Sequence, residues 1–433
     1  MGKKVSVGLL GLGVVGSGVI HLIKNNQTEL AHQLGCSIDV QGVLVRDVEK
    51  ARSIDIDPSI ITTNPDDVLK NDDIDLIVEV MGGVDLAREY ILEAFEAKKH
   101  VVTANKDLIA LHGTELSAAA QKNGCDLFYE ASVGGGIPLL RTITNGFASD
   151  QIKQVMGIVN GTTNYILTKM NDEGSTYADA LKEAQELGFA EADPTADVEG
   201  LDAARKMVIL GRLSFLTNVE LSDVEVEGIS QLSLVDLEYG KKLGYTMKLI
   251  GFANRNGEQI EVSVQPTLLA NSHPLASVNN EYNAVYVNGE AIGETMFYGP
   301  GAGSLPTATA VMSDVVVAIQ NMRLGVSGHQ LTEPLFEKEI TPAEERISKF
   351  YLRLTAKDET GAFATISELF NQLDISFERI LQTPSDENNL AEIILVTHTT
   401  SLNAFQQAMD KLDNLDVVES IKSHFRVEGD VEE

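Results

Sequence analysis

The sequence predicts an α/β chain in three parts: an N-terminal parallel-sheet domain, an α+β middle domain and a ferredoxin-like module at the C-terminal end. Three observations carry this. Short apolar strands alternate with helical segments over the first 130 residues, the pattern of a parallel sheet covered by helices. A glycine array, Gly11, Gly13 and Gly16, joins the first strand to the first helix. The final stretch, of about 80 residues, reads β-α-β-β-α-β.

The bulk properties agree with this division. The chain has 433 residues, more than one ordinary core, and its 43% hydrophobic content suits a folded protein. No apolar run is long enough for a membrane span. Residues 1–4 lead straight into a strand and leave no room for a signal peptide, so a cytoplasmic location is expected. The net charge of −31 would repel nucleic acid over most of the surface. Two cysteines, Cys36 and Cys125, fit a reducing compartment and a structural role. The eight histidines are scattered, with no paired-ligand spacing for zinc.

Element by element, strands are expected at 5–10, 39–45, 76–80, 100–104 and 127–130. Helices are expected from the glycine array to about residue 34, and at 84–97 and 111–123. Together these give a Rossmann-type domain over 1–130. The middle domain, 131–340, opens with the glycine-rich loop Val133-Gly-Gly-Gly-Ile-Pro138. It continues with helices at 139–147, 165–171, 176–186 and 200–213, a strand at 154–159 and β-rich sequence from 223. An apolar helix at 306–321 is expected to pack back on the first domain. The third module, 349–428, has strands at 350–356, 375–382, 391–397 and 416–425, with helices at 362–372 and 402–412.

The chemistry starts at the glycine array. G-x-G-x-x-G after a strand and before a helix is the fingerprint of a dinucleotide site. Gly11 permits the tight turn, Gly13 a close backbone approach to a pyrophosphate, and Gly16 close helix–strand packing. Val14 and Val15 then offer N–H groups at the helix start. The end of the second strand reads Val45-Arg46-Asp47, with Lys50 nearby. Arg46 suits either a place over the adenine or the 2′-phosphate of NADP, whereas Asp47 suits the ribose hydroxyls of NAD; both coenzymes stay open, with the basic pair favouring NADP.

Two lysines stand out in this acidic chain. Lys106 follows Thr103-Ala-Asn just beyond a parallel strand, at the carboxyl edge where ligands bind in such sheets. Lys206 follows Asp202 by four residues, so both share one helix face. Glu191, Asp193, Asp197 and Glu199 precede them, a set of acids able to hold an amino-acid ammonium. The bland readings are a solvated loop lysine and a surface i,i+4 ion pair.

Several segments together resemble the homoserine dehydrogenase family, in the single-function form with a C-terminal ACT domain. They are Gly11-Leu-Gly-Val-Val-Gly16, Val101-Val-Thr-Ala-Asn-Lys106, Tyr129-Glu-Ala-Ser-Val-Gly-Gly-Gly-Ile-Pro138, Asn160-Gly-Thr-Thr-Asn164, Gly188-Phe-Ala-Glu-Ala-Asp-Pro-Thr-Ala-Asp197 and Gly200-Leu-Asp-Ala-Ala-Arg-Lys206. The resemblance spans nearly the whole chain. It implies NAD(P)-dependent interconversion of L-homoserine and L-aspartate 4-semialdehyde, in threonine, methionine and isoleucine biosynthesis. It implies Lys206 as acid/base, Lys106 as its partner near the carbonyl and nicotinamide, and Asp202 as a group that orients substrate or relays protons. Glu191 would bind the substrate ammonium with Asp197 assisting. Thr103, Gly301 and Gly303 would lie against the cofactor. Glu130 and the backbone carbonyls of Val133, Gly135 and Ile137 would form a monovalent cation site, for sodium. The plain alternative there is a glycine-rich hinge. An ACT domain implies feedback by L-threonine, with simple oligomerisation as the alternative. A homodimer through the middle domain is implied, and the terminal modules offer a route to a homotetramer.

Two rival functions are an oxidoreductase acting on another small amino-acid semialdehyde and a nucleotide sensor without catalysis. The Glu191–Lys206 stretch argues against the first, and a sensor would tolerate loss of Lys206.

Overall fold

The computed structural model describes residues 4–52, 54–329, 334–384 and 389–431. Met1–Lys3, on which the expectation of a missing signal peptide partly rests, lie outside them. The chain forms two compact units, each assembled from separate segments. The first comprises Met1–Val155, Arg205–Asp223 and Asn283–Lys338; the second comprises Met156–Ala204, Val224–Tyr282 and Glu339–Glu433.

The first unit is built on a six-stranded parallel sheet: β1 (Val5–Leu10), β2 (Ile38–Leu44), β3 (Ile61–Thr62), β4 (Leu76–Glu79), β5 (His100–Thr103) and β6 (Leu127–Phe128). The order is β3-β2-β1-β4-β5-β6, which reverses direction between β1 and β4 and leaves a crevice at their carboxyl ends. β1 is buried along its whole length, as a strand covered on both faces must be. Its Leu9 pairs with Val43 on one side and Val78 on the other. Val19, Ile20 and Ile23 of the helix Val14–Asn25 join this core, as do Val311, Val315 and Ile319 of the helix Ser304–Leu324. The two helices meet at Gly18, where a Cβ would lie 2.8 Å from the Ser304 carbonyl oxygen.

Three local expectations change. The helix expected to run to residue 34 breaks at Asn26, where φ is −116°, and resumes as Gln27–Leu34. Asn26 Nδ2 donates to the Leu22 carbonyl, so a side chain competes there with the helical ladder. The helix expected at 111–123 begins a full turn earlier, at Lys106, because Asn105 caps it by accepting from Leu108 N. The helix expected over 139–147 is present at 140–146, but its larger part, Thr142–Gly146, is wound as a π-helix, closed by Phe147 N donating to the Thr142 carbonyl. There Thr142 and Thr144 hydroxyls donate back to the Pro138 and Leu140 carbonyls.

In the second unit the strands Tyr245–Asn256 and Gln259–Ala270 form a long antiparallel hairpin. The ferredoxin-like module follows as Ile347–Lys357, Ala362–Asn371, Phe377–Pro384, Leu390–Thr397, Leu402–Leu412 and Val418–Glu428. Its core gathers Leu352, Leu354, Ile366, Phe370, Ile393, Leu395, Phe405 and Leu412. The module is not a separate bead. Its last strand runs parallel to the hairpin, with Thr267 opposite Arg426 and Leu269 opposite Glu428, so one sheet continues through both. Arg426 is buried at this seam, paired with Glu261 at 2.8 Å and stacked over the Phe252 ring. No described helix is long and apolar enough to cross a membrane.

Candidate active site

In the first unit the glycine loop sorts its three glycines by cause. Gly11 has φ +104°, and a Cβ there would lie 2.8 Å from both Met81 Cα and the Val80 carbonyl oxygen. A Cβ on Gly16 would approach the Gly11 carbonyl oxygen to 2.3 Å. These two are required by the fold. Gly13 is different, because a Cβ there would meet nothing within 4 Å. It caps the helix Val14–Asn25 without any side-chain hydrogen bond, and Val14 beside it is 69% exposed. An uncapped helix start with open space over its glycine fits a dinucleotide pyrophosphate.

At the end of β2, Arg46 and Asp47 are both exposed. Asp47 Oδ1 accepts from Glu49 N at 2.9 Å, so the aspartate is partly occupied by its own turn. Arg52 donates to the carbonyls of Asp47, Val48 and Lys50 and shapes that turn.

The ends of β4 and β5 are tied by a fully buried carboxylate that sequence reasoning missed. Glu79 accepts from the Thr103 hydroxyl at 2.6 Å and from Met81 N at 2.8 Å. Burial pushes its pKa above the usual carboxylate range, with those hydrogen bonds opposing. Thr103 Oγ1 also accepts from Asn105 N, and Asn105 Nδ2 donates to the Gly83 carbonyl. The result is a fixed start for the helix Lys106–Asn123, with Lys106 half-buried at its first position.

A second helix is pinned to that start. Arg205 lies 3.0 Å from Asp107. Arg212 donates to the carbonyls of Ile109 at 2.9 Å, Ala110 at 2.8 Å and Val219 at 2.6 Å. Both arginines belong to the helix Leu201–Phe215, which also carries Lys206, 8% exposed. Each partner of the Arg205–Asp107 pair is thus the immediate chain neighbour of one of the two lysines. Sequence could not show this pairing, since nothing local links positions 107 and 205.

The loop after β6 is held by Glu130. Its carboxylate accepts from Leu139 N, Leu140 N and Arg141 N, at 2.6, 2.7 and 2.8 Å. Glu130 N donates to Asp314, which also pairs with Arg141. Burial drives Asp314 up to about 7 against the pull of Arg141. Between these anchors, Gly134 and Gly135 adopt φ of +73° and +55°. A Cβ on Gly135 would fall 2.4 Å from the Gly301 carbonyl oxygen, so the loop Val133–Ile137 and the segment of Gly301 and Gly303 are brought together. No group of three or more His, Cys, Asp or Glu side chains suited to a metal occurs among the described residues. A cation here would therefore draw on backbone carbonyls, the donor set that suits a hard ion.

In the second unit, Asp202 is 4% exposed and Asp197 is half-buried. Asn160 Nδ2 donates to both, at 2.7 Å to Asp197 Oδ1 and 2.8 Å to Asp202 Oδ2. Glu191 lies on the exposed stretch before them, its carbonyl accepting from Gln185 Nε2. Asp193 Oδ1 accepts from the Thr195 N–H and hydroxyl, which holds its pKa below the usual range. Of the predicted acids, the structure thus gathers Asp197 and Asp202 on one amide and leaves Glu191 on the surface of its unit. The signal for Asn160 was present in the sequence: Asn160-Gly-Thr-Thr is a helix N-cap pattern, and the residue does cap the helix Gly161–Glu173.

Comparison with known proteins covers almost the whole chain. The family model for homoserine dehydrogenase matches residues 138–316, that for the homoserine dehydrogenase NAD binding domain matches 11–130, and that for the ACT domain matches 350–417. The sequence is 56% identical to the homoserine dehydrogenase of Bacillus subtilis over 428 residues, 99% of each chain. It is 42% identical to that of Corynebacterium glutamicum, covering 99% of this chain and 97% of that one. The crystal structure of a homoserine dehydrogenase from Thiobacillus denitrificans superposes with a TM-score of 0.91 at 39% identity, covering 98% of both chains. A hyperthermophilic archaeal homoserine dehydrogenase in complex with NADPH gives a TM-score of 0.62 at 26% identity, over 74% of this chain and 98% of that one.

Proposed function

The chain belongs to the homoserine dehydrogenase family, and from that premise we propose which of its residues carry the chemistry. Its function is that of a homoserine dehydrogenase, an oxidoreductase with an NAD-binding domain and an ACT domain. The substrate pair is L-homoserine and L-aspartate 4-semialdehyde, in the pathway to threonine, methionine and isoleucine.

Gly11, Gly13, Val14, Val15 and Gly16 hold the pyrophosphate, with Arg46 at the adenosine end and Thr103, Lys106, Gly301 and Gly303 at the nicotinamide end. The bound nicotinamide supplies or accepts the hydride. Lys206 exchanges the proton of the substrate oxygen, and Lys106 stabilises the charge that develops on it. Asp202, one turn before Lys206, orients the substrate. Glu191 and Asp197 bind its ammonium group. The observation that carries this reading is the Arg205–Asp107 pair, which joins the helices bearing the two lysines immediately beside each of them. Exposed Arg46 and Lys50 support a preference for NADP, in line with the NADPH bound by the archaeal relative.

Glu130 and the backbone carbonyls of Val133, Gly135 and Ile137 bind sodium and brace the loop against Gly301. Functionally, residues 1–130 serve the cofactor, 131–340 the substrate and a homodimer contact, and 349–428 regulation. L-Threonine is the effector, a homotetramer through the ACT modules is the larger assembly, and the enzyme works in the cytoplasm.

The test is the initial rate of NADPH and NADH oxidation with L-aspartate 4-semialdehyde, for wild type and Lys206→Ala. A wild-type rate that falls by about 10²–10⁴ in the variant supports Lys206 as the proton-transfer group. A variant that keeps the wild-type rate removes it from that role. The ratio of the two coenzymes decides between Arg46 and Asp47 as the governing group.

A further inference from the structure

We infer that Asn160 is a positioning residue that holds the carboxyl groups of Asp197 and Asp202 together as a pair. This rests on the reading above, in which those two aspartates serve the substrate.

An asparagine amide has two N–H donors and one oxygen with two lone pairs. Here both donors are used on carboxylates from two separate segments, Asp197 in the turn Thr195–Val198 and Asp202 in the helix Leu201–Phe215. The amide oxygen accepts from Thr163 N at 2.9 Å, and the Thr163 hydroxyl lies 3.0 Å from it. The orientation of the amide is thereby fixed, because a flipped NH₂ would face the Thr163 N–H. Asn160 is 6% exposed.

Two carboxylates drawn to one point repel, and the usual remedy is a shared proton on one of them. A bridging amide eases that repulsion, since each carboxylate gains a charge-assisted hydrogen bond. A pair of carboxylates placed in this way is suited to a cationic ammonium. The helix cap made by the same residue locks the bridge to the backbone, so the carboxylates are placed by the fold before substrate arrives.

Asn160→Asp separates the bridge from the cap. An aspartate keeps the size of the side chain and the acceptor for Thr163 N, and caps a helix about as well as asparagine. It loses both donors and adds a third carboxylate. The expected result is a KM for L-homoserine raised by about tenfold to a hundredfold, with the KM for coenzyme nearly unchanged. The acid limb of the kcat/KM–pH profile should also move to higher pH, as one of the three carboxylates takes up a proton. Asn160→Ser, which caps the helix without adding charge, should raise the homoserine KM while leaving the acid limb in place.

Asp197→Asn and Asp202→Asn are measured alongside. If these raise the homoserine KM while both Asn160 variants keep the wild-type KM and pH profile, the bridge is overturned and the pair's role stands. If the aspartate variants themselves leave the homoserine KM unmoved, the substrate role of the pair fails, and this inference fails with it.

Discussion

In the first unit the buried carboxylate of Glu79 sits at the carboxyl end of a parallel strand, where it shapes a loop lined by open space. In the second, Arg353 and Asp236 are buried against the middle of a sheet. Arg353 Nε and Nη2 reach Asp236 at 2.6 and 3.2 Å, Nη1 reaches Glu392 at 3.1 Å, and Asp236 also accepts from Tyr351 and Ser423 hydroxyls. Both places conceal charge, yet only the first borders a crevice. Glu79 is linked through Thr103 and Asn105 to a lysine at a helix start, whereas the Arg353 cluster closes on itself. Burial of a charged group is therefore no mark of function by itself. What distinguishes the two is whether the network ends on protein or leads to a surface where a ligand fits.

The largest effect that tests this contrast is Arg353→Met. It leaves Asp236, 1% exposed, without its cation, and breaking such a pair from one side costs about 3–5 kcal/mol. Denaturant unfolding should show this loss while the KM values stay near wild type. A raised KM at unchanged stability would break the comparison, because the cluster would then serve the site.

Lys248 gives the next test. It is fully buried, donating to Asn164 Oδ1, Asn279 Oδ1 and the Val278 carbonyl, and burial pulls its pKa down to about 8, with Asp172 opposing. The unfolded chain, with an ordinary lysine pKa, binds more protons than the folded one between about pH 8 and pH 10.4. Stability should therefore rise with pH across that window, by on the order of 3 kcal/mol from this group. The increment is absent below the folded pKa, where both states carry the ammonium. Lys248→Met should flatten the window; a wild-type slope in that variant would assign the effect to another group.

Smaller still is the difference between two glycines three residues apart in the sequence, Gly13 and Gly16. Gly16→Ala forces a Cβ onto a carbonyl and should destabilise by about 1–3 kcal/mol. Gly13→Ala meets nothing in the protein, so its melting temperature should hold while the coenzyme KM rises by about tenfold. Equal melting losses in both variants would place the demand for Gly13 in the fold and not at the ligand.

Much of the fold was legible because the signals are local. Five of the six parallel strands announce themselves as short apolar runs, the two-residue β3 (Ile61–Thr62) being too short to do so, and the terminal module as βαββαβ with alternating strands. Misreadings arose where a side chain competes with the backbone: Asn26 interrupting a helix, Asn105 starting one early, and two threonines turning residues 142–146 into a π turn. The candidate site divided in the same way. The glycine array and the two lysines could be found from spacing, but the Arg205–Asp107 pair, the Asn160 bridge and the Glu79 network join residues far apart in sequence. Their partners become visible only when the chain has folded. Cap chemistry at Asn160 and Asn105 was the one clue open to a sequence reader, since both precede the helices they start.

The strand Val418–Glu428 also sets an order of events in biosynthesis. Residues Thr267–Leu269 find one of their neighbours only when Arg426–Glu428 have left the ribosome. Until then part of a long apolar hairpin waits with an open edge, the kind of surface that invites pairing with other nascent chains. The pairing with Arg426–Glu428 closes a loop that encloses the entire ferredoxin-like module, a long-range contact of the kind that is slow to form.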